Sequence, residues 1–323
     1  MKEVLRTIAS PREPTQAELL EIAASLFVLR PVSPYPRRIQ EEDWRHRSLS
    51  SYVREAVWKF FEVQGRQASL TLPWYNGLDL RVYLGDALSR AVFVEGCYEP
   101  NEFAFLTTIL EPGMVVVDVG AHEGIYSSFA ATLVGASGQV WAFEPSSRER
   151  TRLVDNLCRN GLSNVKVFPL ALADANGAGE LNVASDAYSG HNTLAKHFSE
   201  SIPSIGPEAV ELRKLDDLTT GLERLDLLKI DAEGAETRII RGASRTIGAF
   251  RPVILFESQD ALLRDQGSSI TELVDTIVDF GYRIFSFDPQ TGCPEPGWNA
   301  ADQNLVAIPG ETPRRHSSRA GVE

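Results

Sequence analysis

The sequence predicts an α/β fold built on a mostly parallel, Rossmann-like sheet covered by helices on both faces. Three observations carry this. First, the β-branched run from Val115 ends in Asp118, passes through a short turn at Gly120 and enters a helical pattern at Gly124. Such a strand–turn–helix unit places a nucleotide-like ligand at a helix N-terminus. Second, the apolar run Val140 to Phe143 ends in Glu144, twenty positions past Gly124. An acid at the end of the second strand is where such folds hold ribose hydroxyls. Third, from residue 76 onward strand-like and helix-like patterns alternate, the signature of a parallel sheet with crossover helices.

Taken in order, residues 1–75 read as a helical N-terminal extension. Thr15 and Glu18 form a capping box ahead of Leu19, Ile22, Ala23, Leu26 and Phe27 at helical spacing. The Pro-rich stretch Pro31 to Arg38 reads as a linker. A second helical pattern from Val53 to Val63 carries Trp58, Phe60 and Phe61. The domain proper spans 76–309, with a strand or hairpin over 68–84 at its start and a helix over 101–110. Strands follow at 114–119, 138–143 and 164–170, with helices at 124–134 and 147–160. An irregular insert is expected up to about 208, then strands at 209–214 and 226–231 and a helix at 234–247. A strand at 252–257 and a helix at 269–280 precede final strands at 282–287 and 304–308. The helix at 269–280 is the clearest, with Ile270, Leu273, Val274, Ile277 and Val278 in one stripe and Ser269 paired with Glu272 as its cap. The polar tail over 310–323 is expected to be disordered.

The 323 residues and 43% hydrophobic content suffice for one large core. No run approaches the roughly 18–20 apolar residues of a membrane span, and no secretory leader is visible. Cys97, Cys158 and Cys293 lie far apart with no metal-ligand spacing, which suits a reducing cytoplasm. A net charge of −12 argues against a nucleic-acid partner.

The spelling of the first turn, Gly120-Ala121-His122-Glu123-Gly124, narrows the ligand. A dinucleotide fingerprint needs a second glycine near Ala121 or His122, so a nicotinamide-dependent oxidoreductase is the weaker reading. Glu123 is expected to repel a diphosphate placed over the helix end. S-adenosylmethionine (SAM), with a sulfonium and no phosphates, suits the loop better. A second strand-to-helix unit runs from Leu225 through Asp231 to Glu236. Asp231 stands at the carboxyl end of an apolar strand, the side of an open sheet that borders the ligand crevice. Glu233 and Glu236 fall in the first turn of the next helix, where helix-terminus stabilisation accounts for Glu236 and competes with function for Glu233.

These residues resemble the FkbM family of SAM-dependent methyltransferases. The matching blocks are Glu95 to Pro100, Val117 to Tyr126, Ala142 to Pro145, and Lys229 to Glu236 followed by Arg251 to Glu257. Leu215 to Leu218 and Ala171 to Asp174 also fit, so the likeness spans about 80 to 309. It implies a class I methyltransferase fold: a seven-stranded, mostly parallel sheet whose last strand is antiparallel. It implies SAM as cofactor and methyl transfer to a hydroxyl of a sugar, glycan or polyketide-like product. Carried over by position, Asp118, Gly120, Ala121 and Gly124 would cradle the methionine end. Glu144 with Pro145 would meet the ribose, the stretch near Asp174 the adenine, and Glu99 the cofactor mouth. His122 stands where the loop commonly has Asn, and would touch the cofactor carboxylate or cap the turn.

For the acceptor proton, Asp231 is the first candidate, Glu233 the second and His191, within the insert, the third. No dedicated metal-ligand cluster is visible, so a divalent ion stays unassigned. A non-catalytic SAM-binding protein is the remaining rival. The N-terminal region is free to cover the acceptor or to form an oligomer contact, and is expected to stay out of the cofactor site.

Overall fold

The computed structural model describes residues 15–27, 49–64, 68–195, 202–288, 291–299 and 301–310. The expected linker at 31–38 and the tail beyond 310 lie outside them. Helix Gln16–Ser25 starts at the capping box read from the sequence, with Thr15 and Glu18 exchanging hydrogen bonds. Helix Leu49–Gln64 follows. Strands β1 (Ala68–Pro73) and β2 (Asp79–Leu84) form an antiparallel hairpin.

The central sheet takes β3 (Val115–Val119), β4 (Gln139–Phe143) and β5 (Val165–Phe168). Three strands outside it, β6 (Leu170–Leu172), β7 (Gly177–Ala184) and β8 (Ser204–Arg213), make a separate small sheet in the order β6-β8-β7. The central sheet continues with β9 (Leu227–Ile230), β10 (Val253–Glu257), β11 (Tyr282–Phe287), β12 (Pro294–Pro296) and β13 (Asn304–Pro309). Its order is β12-β11-β13-β10-β9-β3-β4-β5. Pairings from β10 through β9, β3 and β4 to β5 are parallel, and β13 is antiparallel to both its neighbours. The sheet thus has eight strands rather than seven. The addition, β12, is a three-residue edge strand between two prolines, too short and too Pro-rich to read as a strand.

Each inner strand is buried on both faces, and alternate residues feed different cores. Val116, Val140, Leu227, Leu255 and Val306 join one core with Phe129 of helix Ile125–Val134. Val117, Leu228, Ile254 and Leu305 join the other with Ile239, Ile247 and Leu273 from the helices on the opposite face. Val57, Trp58 and Phe61 of the N-terminal extension belong to the first core. Buried Arg54 ties that region further in, donating to the carbonyl oxygens of Leu26 and Val94. No described residue before Ala87 lines the main cavity.

Among the described residues, the insert after the third strand carries regular structure, β7 and the start of β8. Leu181, Val183 and Val210 alternate inward to give it a small core of its own. The strand was hidden because Gly206 and Pro207 sit inside β8 and read as loop. Pro169, lacking an N–H, splits the expected strand at 164–170 into β5 and β6. The expected helix at 234–247 divides into Glu236–Gly242 and Ser244–Phe250.

Candidate cofactor and acceptor site

The carboxyl ends of β3, β4, β9 and β10 open into one cavity of about 400 Å³, within the range of small-molecule sites. Nine of the twelve residues expected at the site line it: Glu99, Gly120, Ala121, His122, Glu144, Pro145, His191, Asp231 and Glu233. Three of the nine, Glu99, His122 and Glu233, hold left-handed backbone conformations at φ 39°, 49° and 50°. Such strain in residues with side chains costs about 1–3 kcal/mol each and concentrates at functional sites.

One end of the cavity is built around Glu144. One carboxylate oxygen accepts the His122 N–H at 2.8 Å and the other accepts the Ser146 N–H at 2.8 Å. Each oxygen keeps a further lone pair for a ligand hydroxyl. Both ring nitrogens of His122 are sealed from solvent without a hydrogen-bond partner, and Nε2 lies 4.0 Å from the buried Glu149 carboxylate. A ligand with a diol, as SAM has, fits the Glu144 oxygens.

Gly120 has a reason beyond close ligand approach. Its φ is +74°, and a Cβ there would lie 1.7 Å from the carbonyl oxygen of Asp231. The first turn and the strand end bearing Asp231 touch through this missing side chain.

Three expectations are corrected. Asp118 does not line the cavity. It is buried, accepts the Ser127 hydroxyl at 2.6 Å and faces the Lys229 ammonium at 3.5 Å, so it anchors the loop from beneath. Gly124 caps helix Ile125–Val134 with φ +83° and packs against Leu153, also outside the cavity. Asp174 pairs with Arg238 at 3.1 Å away from the cavity, and Leu170, Ala171 and Leu172 supply the wall there instead. Glu123 also points elsewhere. It is fully buried beside Ser89, and burial with the Asp86 charge holds its carboxyl well above the usual range. It does not line the cavity, so what disfavours a dinucleotide there is Ala121 and His122 in place of a second glycine.

The other end of the cavity gathers charge that the sequence did not single out. Lys229 is buried, with its ammonium 3.2 Å from Asp231 Oδ2 and 4.6 Å from the Tyr126 ring centre. Burial alone would depress it, but Asp231, Asp118 and Glu99 more than offset this and hold it above the ordinary lysine value. Its signal was a lysine inside an apolar strand, in register with Asp118. Glu257 ends β10 as Asp231 follows β9, and the same strand-end rule would have found it. Asn304 of β13 donates to Glu99 Oε1 at 2.9 Å and to Glu102 Oε1 at 3.0 Å, and the Tyr126 hydroxyl donates to Glu99. His191 Nδ1 lies 3.4 Å from Glu233 Oε2, and this contact raises the imidazole. Glu236 stays outside the cavity and accepts the Ala232 N–H at 2.9 Å, the helix-start role expected of it.

Burial pushes Glu144 and Glu102 up to about 8, with the charges of Glu149 and Glu99 respectively adding to it, and burial pushes Glu236 up to about 7. In the unfolded chain these groups ionise near 4.5. The folded state therefore binds more protons between these values. Its stabilisation from these groups is complete below 4.5, falls progressively as pH rises above 4.5, and is gone once pH passes about 7 for Glu236 and about 8 for Glu144 and Glu102. The ligand-free protein is expected to melt at progressively lower temperature from about pH 5 to about pH 8. A melting temperature that is flat or rising over that window would contradict these burial effects.

Comparison with known proteins agrees with the geometry. Residues 118–284 match the model of the methyltransferase FkbM domain. The chain is 27% identical over 205 residues to the 2-O-methyltransferase NoeI of Sinorhizobium fredii (strain NBRC 101917 / NGR234), covering 58% of this chain and 83% of that protein. It is 29% identical over 203 residues to the 31-O-demethyl-FK506 methyltransferase FkbM of Streptomyces tacrolimicus, covering 54% and 75%. Among solved structures it is similar to the methyltransferase FkbM from Methylobacillus flagellatus KT, 16% identical, with a TM-score of 0.41 over 69% of this chain and 55% of that one. Among the described residues no helix is long and apolar enough to cross a membrane. The chain belongs to the FkbM methyltransferase family and is a SAM-dependent methyltransferase of class I fold.

Proposed function

We propose that this enzyme methylates a hydroxyl oxygen of a sugar, glycan or polyketide-like small molecule. The observation that carries the reading is one cavity with two chemically distinct ends, Glu144 and His122 at one and Asp231, Glu233 and His191 at the other. Two relatives named for oxygen acceptors, the 2-O-methyltransferase NoeI and the 31-O-demethyl-FK506 methyltransferase, support it.

SAM supplies a methyl group on a sulfonium, whose departure leaves a neutral thioether. The chain's part is to bind, align and exclude water. Glu144 accepts the ribose hydroxyls, with His122 beside it and Gly120, Ala121 and Pro145 forming the floor. Asp231, fixed by Lys229 at 3.2 Å, receives the acceptor hydroxyl and takes its proton. His191, oriented by Glu233, flanks the acceptor from the insert.

The acceptor is found by incubating the enzyme with methyl-labelled SAM and the host's metabolite and glycan extract, then identifying the labelled product. Label on oxygen is the expected result; label on carbon or nitrogen alone rejects the reading. Glu144→Ala is expected to weaken SAM binding by about 1.5–3 kcal/mol, the loss of hydrogen bonds to a charged group. Calorimetry on a folded variant with unchanged affinity would reduce Glu144 to a strand-end residue.

A further inference from the structure

We propose that Asp231, Glu233 and Glu257 hold a divalent cation of the magnesium or manganese class beside the acceptor hydroxyl. This deepens the O-methyl-transfer reading and rests on it for the position of the acceptor. One oxygen from each of the three carboxylates lies within 4.8 Å of the others, all on the cavity wall. Asp231 and Glu257 stand at the ends of two adjacent parallel strands, so the sheet sets their spacing, and Glu233 lies in the turn two residues past Asp231.

A second observation is independent of the clustering. Glu257 is 7% exposed, and its Oε2 is sealed from solvent with no hydrogen-bond partner. Its Oε1 accepts the Gln259 amide at 2.6 Å, the kind of outer contact that orients a ligating carboxylate. A buried carboxylate oxygen without a donor is costly unless a positive group meets it. Lys229 does not meet it, since its ammonium is engaged by Asp231 and Asp118. Three carboxylate ligands select a hard cation that prefers oxygen, and leave coordination positions open to the cavity. A hydroxyl bound at such a position loses its proton more readily.

The test uses the full chain without SAM or acceptor. Manganese(II) is titrated in while the free-ion electron paramagnetic resonance signal and the heat of binding are followed. One saturable site per chain is expected, with magnesium competing. Glu257→Gln and Asp231→Asn are each expected to weaken manganese binding at least about tenfold. SAM affinity held within about twofold shows that each variant is folded. The proposal is overturned if the wild type shows no saturable binding up to about 1 mM, the weak end of protein sites for such ions. It is equally overturned if neither variant changes binding. Manganese binding is read without acceptor, so failure of the oxygen-acceptor reading shows separately, in the position of the methyl label.

Discussion

Asp231→Asn is expected to leave SAM affinity nearly unchanged and to lower turnover by about 10²–10⁴-fold, the span of general-base contributions. The side chain follows β9 directly, lines the cavity and is held by Lys229 at 3.2 Å. Asn keeps the shape and still accepts a hydrogen bond from the ammonium, so the fold should survive. What it loses is the ability to take a proton, and with it one negative charge beside Glu233 and Glu257. Melting, SAM affinity and turnover measured on the same preparation separate these effects. A stable variant with near-normal turnover would remove Asp231 from the chemistry and shift the proton to His191, whose imidazole Glu233 already raises.

Gly120→Ala is expected to abolish stable folding, and SAM binding with it. The new methyl would stand 1.7 Å from a backbone oxygen, at a φ of +74° that alanine rarely adopts. Neither partner can retreat, because β3 and β9 are buried neighbours in the centre of the sheet. Losses above about 4 kcal/mol come from this kind of backbone collision. Gly177→Ala is the matched control, since a Cβ there meets nothing within 4 Å. Circular dichroism and calorimetric melting of the two variants settle the matter. If Gly120→Ala melts like the wild type, the contact between the first turn and the Asp231 segment is not a fixed part of the fold.

Strand ends were legible in the sequence because a lone acid after an apolar run is a strong local signal. Glu144 and Asp231 were found that way, and both line the cavity. Glu257 obeys the same rule but was read as part of a family block. Lys229 and Asp118 are different. Their meaning lies in the register between two strands over a hundred residues apart, which periodicity within either strand does not show. Which way a turn residue points was equally hidden. His122 and Glu123 are neighbours in the loop, yet one faces the cavity and the other is buried behind it against Ser89. In the insert, glycine and proline inside a strand imitated a loop until pairing with β7 gave the strand its place.

The position of β13 has a consequence for how the protein is made. It is the last strand among the described residues, yet it lies between β10 and β11. Until it emerges from the ribosome, β11 has no neighbour toward the sheet centre, and β10 presents an unpaired edge. Exposed strand edges of this kind are where nascent chains meet the wrong partner. The same strand brings Asn304 to Glu99 and Glu102, so Glu99 on the cavity wall and Glu102 behind it are without that donor until then. Ligand-binding competence should therefore appear late and all at once during synthesis, when the final strand closes the sheet, rather than growing with chain length.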